Sequence, residues 1–290
     1  MSIQLDTYST RYERIQHLLK WKKYKEASEE AMALIREEPE DADAYSMLAQ
    51  VFWKMDKYEE AHHWCGEALR RDPENQLAWF VKCISYYEQK KWNELKPALA
   101  EAMRVDPYEP FYYYLQADIL NQKGRYQEAK EQLLQALELN PEDAGYLALM
   151  SYIEAQMGHF RVSKELEEQA LRLESESDNV FLYLAWAASR RGDYDQEIIL
   201  LGNAIRLAPD EKQIRDEYLE ALQKNYKLYR IVLSPVKLIR QLKPWQILVS
   251  WMLAVILFKP LLIVFIILYI ATHWLTKLLV HVKIFGWRLK

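Results

Sequence analysis

The sequence predicts an all-α fold built from repeated helical hairpins. Proline recurs every 34 residues, and an aromatic residue recurs with the same spacing in a second register. Within each period, apolar residues keep the three-to-four-residue spacing of an amphipathic helix. Only seven glycines occur in 290 residues, which disfavours β architectures with many turns. Hairpins that stack at a constant period form a solenoid.

The proline column predicts where each unit ends, because proline disfavours helix at the residue before it. Its members are Pro39, Pro73, Pro107, Pro141 and Pro209, with Ser175 in the skipped place. The aromatic column has no gap. Its members are Tyr24, Tyr58, Trp92, Tyr126, Phe160 and Tyr194.

One unit shows how the two helices are predicted. Tyr45, Leu48 and Phe52 recur at helical spacing until Met55-Asp56-Lys57 interrupts the pattern. A second amphipathic segment then begins at Tyr58 and stops at the next Asp-Pro pair. Each unit is therefore predicted to be a helix, a short turn and a second helix.

The same register divides the whole chain. We predict six repeats, a capping helix, a basic linker, a membrane segment and a basic tail. The repeats are 8–41, 42–75, 76–109, 110–143, 144–177 and 178–211, and the other segments are 212–230, 231–243, 244–282 and 283–290.

The repeat pattern resembles the tetratricopeptide repeat (TPR). That family has a small residue in its first helix, glycine in the turn, aromatic-x-x-Ala at the start of the second helix, and a closing Asp-Pro or Asn-Pro. Tyr126-Gln127-Glu128-Ala129 with Asn140-Pro141 is a close match. The resemblance implies a right-handed superhelical solenoid of about six hairpins, and it says little about function.

Charge divides the chain into two parts. Residues 1–220 contain 42 Asp and Glu against 27 Lys and Arg, a net charge of −15, whereas residues 221–290 contain 11 Lys and Arg and no acid, a net charge of +11. An acidic body is repelled by phosphates, so nucleic acid is not an expected partner. The basic end would be attracted to an anionic lipid bilayer.

Two apolar runs in the basic end predict a membrane segment. They span 245–258 and 261–275 and are separated by Lys259-Pro260. Three structures remain open: a hydrophobic helical hairpin folded at Lys259-Pro260, a single kinked transmembrane helix, and an apolar hairpin buried against protein. The expected location is a membrane, anchored through the C-terminal end, with the repeats in the cytoplasm.

The residues predicted to lie at the membrane interface are basic or are tryptophans. A hairpin would bring Trp245 opposite Trp274 and Lys243 close to Lys277. Residues 236–243 either lie on lipid headgroups through Lys237, Arg240 and Lys243, or form an ordinary solvated linker.

No catalytic or metal-binding constellation is apparent. His62 and His63 are adjacent in sequence and so point in different directions from a helix. Cys65 and Cys83 occupy columns that otherwise hold small or apolar residues, which predicts buried structural thiols. We therefore predict no enzyme activity, no cofactor, no metal and no small-molecule substrate.

The remaining candidate is a binding surface. In tetratricopeptide arrays the first helices of successive repeats line a concave groove, and the resemblance places aromatic and polar residues along it. They are Gln50, Trp53, Phe80, Ile84, Tyr87, Phe111, Tyr114, Asp118, Tyr152 and Trp186. The Lys, Asn and Arg pattern with which some family members hold a chaperone's C-terminal carboxylate is absent. Aromatic side chains often dominate protein interfaces, so these rings could bind a ligand. The other interpretation, which the sequence supports equally, is that half of the rings pack between repeats and contribute nothing to binding.

The sequence thus predicts a membrane-anchored scaffold or adaptor that binds protein or peptide partners through its groove. The alternative is a structural or assembly subunit of a membrane secretion or transport complex, which oligomerises through its C-terminal hairpin.

Overall fold

The computed structural model describes residues 2–173, 176–225 and 259–285, with side chains described for 11–173, 176–225 and 266–282. These residues form fourteen α-helices and no strand, so the predicted all-α class is confirmed. The helices are α1 Ser2–Lys20, α2 Tyr24–Glu37, α3 Ala42–Lys54, α4 Tyr58–Arg71, α5 Gln76–Glu88, α6 Trp92–Val105, α7 Pro110–Gln122, α8 Tyr126–Leu139, α9 Ala144–Gln156, α10 Phe160–Arg172, α11 Asp178–Arg191, α12 Tyr194–Leu207, α13 Lys212–Lys224 and α14 Lys259–Phe285.

The chain divides into two compact units. Of the described residues, those up to 119 and 131–140 form unit 1, and 120–130 with those from 141 onward form unit 2. Within each unit consecutive helices pack as pairs, such as α3 with α4 and α9 with α10. The first helices of successive pairs also contact one another, α3 with α5 and α9 with α11. This is the packing of stacked helical hairpins.

In each hairpin, the second helix begins at a member of the aromatic column. Helices α2, α4, α6, α8, α10 and α12 begin at its six members. Three of the first helices, α3, α5 and α9, begin after a short polar residue whose side chain caps them. Asn75 accepts a hydrogen bond from the backbone N–H of Ala78 at 2.9 Å, and Asp143 accepts one from Tyr146 at 3.0 Å. The exact limits of the six predicted repeats stay predictions.

Each hairpin turn contains one residue in the left-handed conformation. These residues again lie 34 apart, but only half are glycine. Their φ angles are 58° at Lys22, 58° at Asp56, 57° at Lys90, 72° at Gly124, 85° at Gly158 and 84° at Gly192. The turn geometry is therefore imposed by the packed helices, because L residues adopt it at a cost of about 1–2 kcal/mol.

Substituting a turn glycine tests this conclusion. We expect Gly158→Ala to lower the free energy of unfolding by about 1–2 kcal/mol, because an L residue is strained at this φ. A Cβ at Gly158 would meet no atom within 4 Å, so backbone strain alone is measured. The matched control is Gly66→Ala inside α4, where a Cβ also meets open space. It should stabilise by about 0.5–1 kcal/mol in urea denaturation, and equal effects of the two substitutions would contradict the interpretation.

The core of each unit lies between the paired helices. In unit 1 it includes Leu48, Leu95 and Leu115, and in unit 2 Leu149 and Leu184, all fully buried. A column of small residues, one in each of five first helices, also belongs to the core. Its members are Ala49, Cys83, Ala117, Ser151 and Ala185, which are all buried.

Helix α13 packs on α12 and covers the last predicted repeat, with Ile214 and Ala221 buried. The last five residues of the predicted capping segment, 226–230, lie outside the described residues. Helix α14 in turn contacts α13.

The C-terminal prediction needs correction. Among the described residues, no helix combines the length and the apolar character that crossing a bilayer requires. The predicted C-terminally anchored membrane location is therefore wrong, and the transmembrane hairpin or span at 244–282 has no support. Within α14 the apolar run is interrupted by polar side chains, and two of them, Thr272 and Thr276, are buried.

These polar side chains face protein. Gln223 of α13 donates hydrogen bonds to the Thr276 hydroxyl and to the backbone carbonyl of His273, both at 2.9 Å. Thr276 donates onward to the carbonyl of Thr272 at 2.7 Å. One stripe of α14 is therefore held against the repeat domain by specific hydrogen bonds.

Four of the predicted membrane-interface residues, Lys237, Arg240, Lys243 and Trp245, lie outside the described residues, as does the linker 231–243. The tail 283–290 lies there also, apart from the backbone of its first three residues in α14. Trp274 and Lys277 are exposed on α14. The lipid bilayer predicted as a partner has no support.

Candidate functional site

A row of aromatic side chains crosses the first helices of unit 1. Ring centroids are 6.2 Å apart from Trp53 to Phe80, 5.3 Å from Phe80 to Phe111 and 5.8 Å from Phe111 to Tyr114. We call these four residues the ring ladder. It runs from α3 through α5 to α7, and two of its rings, Phe80 and Tyr114, occupy equivalent places 34 residues apart. Separations of 4.5–7 Å are typical of attractive aromatic pairs.

The ladder is partly accessible. Trp53 is only 7% exposed, whereas Phe80, Phe111 and Tyr114 are half-buried. Each ring therefore contributes to packing between hairpins and, except for Trp53, also presents apolar surface. Packing between repeats, one of the two interpretations left open by the sequence, is therefore confirmed for these rings, and ligand binding stays a prediction.

Polar side chains join neighbouring first helices beside the ladder. The Trp53 indole N–H donates to Oε2 of Glu88 at 2.7 Å, and the Tyr87 hydroxyl donates to Oδ2 of Asp118 at 2.7 Å. Gln50 accepts from the amide of Gln16 at 3.0 Å. These bonds link residues about one repeat apart, and the first fixes the orientation of the Trp53 ring.

Unit 2 has an aromatic cluster of its own. The Tyr152 ring lies 5.6 Å from Trp186, and Tyr183 lies 5.4 Å from Trp186. The Trp186 indole N–H donates to a Glu217 carboxylate oxygen at 2.5 Å. Burial is the main cause that raises the pKa of Tyr152. Two predicted groove residues thus meet here, with a carboxylate partner that sequence reasoning missed.

The ten predicted groove residues are distributed between the units. Eight lie in unit 1, where Ile84 is half-buried and Asp118 is buried, and two lie in unit 2. A binding role for any of them stays a prediction. Glu88 and Lys54 also reach the ladder and were missed, although their column holds charged or amide side chains throughout the repeats.

The two thiols are buried, as predicted. Burial is the largest cause that raises the pKa of Cys65 and Cys83 to about 12. Both therefore stay protonated at neutral pH, which is unfavourable for nucleophilic chemistry. Among the residues that the structure describes, no three His, Cys, Asp or Glu side chains are grouped to hold a metal ion.

A buried polar cluster in unit 2 was not predicted. Glu167 on α10 is fully buried, and Arg191 at the end of α11 donates to it through a guanidinium N–H. Lys164 contacts the other Glu167 oxygen at 2.7 Å. Arg191 also donates to the Ser163 hydroxyl at 2.6 Å, and Ser151 donates to the backbone carbonyl of Ser163 at 2.7 Å.

The repeat register contains the signal for this cluster. The column of Glu167 holds Leu99, Leu133 and Leu201 in other repeats. A carboxylate in an otherwise apolar column predicts a buried charge, which in turn requires a partner. The sequence does not tell which cation supplies it.

Models of two protein families match parts of the chain. The model described as anaphase-promoting complex, cyclosome, subunit 3 matches residues 20–95, and the model described as tetratricopeptide repeat matches residues 112–143. Together with the paired helices, these matches decide the type of repeat. The chain is a tetratricopeptide-type helical-repeat protein.

Solved TPR structures share the fold at low sequence identity. A chain of the APC/C hetero-tetramer Cut9-Hcn1 matches with a TM-score of 0.65 and 17% identity over 73% of this chain. The Pseudomonas aeruginosa protein pilF matches with 0.59 and 20% over 73%, and a thermophilic TPR protein of Thermus thermophilus with 0.52 and 19% over 62%.

The extent of these matches differs. This chain spans 42% of the matched Cut9-Hcn1 chain, but 95% of pilF and 98% of the Thermus protein. No curated protein matches the sequence. Identities this low support the shared fold alone. TPR proteins are in general non-enzymatic scaffolds that bind protein or peptide partners.

Proposed function

We propose that this TPR protein is an interaction scaffold whose unit 1 binds an apolar segment of a protein partner across the ring ladder. The observation that carries the proposal is the continuity of the ladder: four rings follow one another over three helices. An extended or helical peptide presents apolar side chains at comparable intervals.

The ladder has the physical properties of an interface hot spot. Aromatic side chains bury large apolar areas and lose little conformational entropy when bound. A hydrogen bond to Glu88 fixes the Trp53 ring, and ring-to-ring packing holds the other three. A preorganised surface binds more tightly because less ordering is needed on association.

The charges beside the ladder argue against a carboxylate ligand. Glu88 and Asp118 lie next to the rings, and Lys54 is engaged with Trp53. A peptide carboxylate bound beside Trp53 would meet the negative charge of Glu88, with that of buried Asp118 behind it. We therefore propose recognition of an internal apolar segment.

Alanine substitution tests the proposal. Phe111→Ala and Tyr114→Ala should each weaken partner binding about tenfold or more, since truncating a hot-spot residue typically costs at least about 1–2 kcal/mol. The partner is first captured by crosslinking the full chain in native extract and identified by mass spectrometry. Its affinity for each variant is then measured by titration.

The matched control is Tyr108→Ala, which removes an aromatic side chain that is 77% exposed at the turn before α7. Binding to this variant should be unchanged. Circular dichroism confirms that each variant folds. A partner that binds folded ladder variants with wild-type affinity would overturn the proposal.

The alternative role as a subunit of a membrane secretion or transport complex loses its basis, because it required the membrane segment. Similarity to pilF concerns the fold alone at 20% identity.

A further inference from the structure

A charged pair flanks the first ring of the ladder. Trp53 and Lys54 are the last two residues of α3, and Glu88 is the last residue of α5. The Lys54 ammonium lies over the Trp53 ring, 3.8 Å from a ring centroid. The Glu88 carboxylate accepts the indole N–H of the same ring at 2.7 Å.

This arrangement has the chemistry of a cation site. The face of an indole ring is negative and attracts ammonium and guanidinium groups. Glu88 adds a negative charge at the ring edge, and the C-terminal ends of α3 and α5 add the negative ends of two helix dipoles. Lys54 is the chain's own example of the cation that such a site accepts.

The charged groups of Lys54 and Glu88 are partly shielded from water. Burial is the first cause that lowers the pKa of Lys54, and Glu88 opposes it. Burial also raises the pKa of Glu88, against the hydrogen bond from Trp53 and the charge of Lys54. Attraction between charges is stronger where water is partly excluded.

The repeat register makes this junction distinctive. The column of Trp53 continues as Tyr87, Asn121, Ala155 and Ser189, so no other repeat places an indole there. At the next junction the equivalent Tyr87 donates its hydroxyl to buried Asp118 instead.

We propose that Trp53 and Glu88 form a subsite for a basic side chain of the bound protein partner, and that Lys54 occupies it in the free protein. This inference rests on the proposed function of the ring ladder. Lys54 is exposed, so its ammonium can leave the Trp53 ring for water and a partner's Lys or Arg can take its place. A partner segment would then carry apolar residues beside one basic residue.

Chemical rescue tests the subsite without a partner. Lys54→Ala empties it, and n-butylammonium chloride is added while the Trp53 indole N–H resonance is followed by NMR, assigned with Trp53→Phe. In Lys54→Ala we expect the Trp53 resonance to shift saturably as butylammonium is added. The apparent affinity should be at least about threefold weaker in wild type, where Lys54 competes. It should be weakened similarly in Lys54→Ala/Glu88→Gln, where the carboxylate charge is removed.

The controls separate this site from general salt effects. Sodium chloride and n-butanol at the same concentrations should produce no saturable shift. Lys82→Ala is the matched variant. The Lys82 ammonium lies 4.9 Å from the centroid of Trp79, a ring that is not part of the ladder. This variant should leave the Trp53 response as in wild type. Equal responses in wild type and Lys54→Ala, or an equal response to butanol, would overturn the subsite.

Selection from a random peptide library separates the subsite from the proposed function. Peptides selected on full-length Lys54→Ala should be enriched in Lys or Arg beside apolar residues, more than on wild type and on Lys54→Ala/Glu88→Gln. Clones that require Phe111 and Tyr114 but show no basic preference would refute the subsite alone. Clones indifferent to the ladder, or no clones, would refute the ladder as a peptide site.

Discussion

Arg191→Met is expected to lower the free energy of unfolding by about 3–5 kcal/mol, because it leaves a buried carboxylate without its main partner. Glu167 has no exposed surface, and only 6% of the Arg191 side chain is exposed. Lys164 remains at 2.7 Å but is 40% exposed, so it compensates only partly. Urea denaturation followed by circular dichroism measures the loss.

The chain's own repeats supply the control for this prediction. The column of Glu167 holds leucine three times, and that of Arg191 holds Met55 and Met157. Glu167→Leu/Arg191→Met should therefore recover most of the stability, since replacing a buried ion pair by apolar residues is often neutral. A double variant no more stable than Arg191→Met would show that the cost comes from packing instead.

Tyr112→Ala is expected to be similarly damaging in unit 1. Tyr112 is 1% exposed and packs with Leu95, Leu99 and Leu115. Truncating a buried aromatic residue typically costs about 3–5 kcal/mol, through lost burial and the cavity left behind. Thermal unfolding would show a lower midpoint, and hydrogen exchange would rise first in α6 and α7 if the cavity acts locally.

Tyr112→Phe separates the ring from its hydroxyl and predicts a pH effect. It should cost less than about 1 kcal/mol at neutral pH, because the ring volume is kept. Burial raises the pKa of Tyr112 well above the usual tyrosine range. The resulting stability is complete below about pH 10 and declines above it, because the unfolded chain releases this proton first. Tyr112→Phe should weaken the alkaline decline, and an unchanged decline would contradict this.

Periodicity predicted the helices well. The aromatic column begins all six second helices, and the short polar residues before several first helices are capping residues in the structure. Local propensity and the apolar repeat are enough for this, because each hairpin buries the same columns. The turns were less predictable, since Lys22, Asp56 and Lys90 adopt a conformation that sequence assigns to glycine.

The membrane prediction failed for a physical reason. Composition shows that a segment is apolar, but not where its polar residues point. In α14 Thr272 and Thr276 are buried, and Gln223 of α13 donates to Thr276. The sequence pattern was dominated by apolar residues elsewhere on the helix, so it did not reveal that Thr272 and Thr276 face protein.

The sequence by itself determined the repeat, the all-α class, the buried thiols and the set of side chains available to the first helices. Only the tertiary structure decided which of these side chains meet. Trp53 on α3 meets Glu88 on α5, and Glu167 on α10 meets Arg191 on α11, because packing of separate helices brings them within bonding distance. A 34-residue period specifies which face is buried, whereas a hydrogen bond depends on separations of a few ångströms between helices.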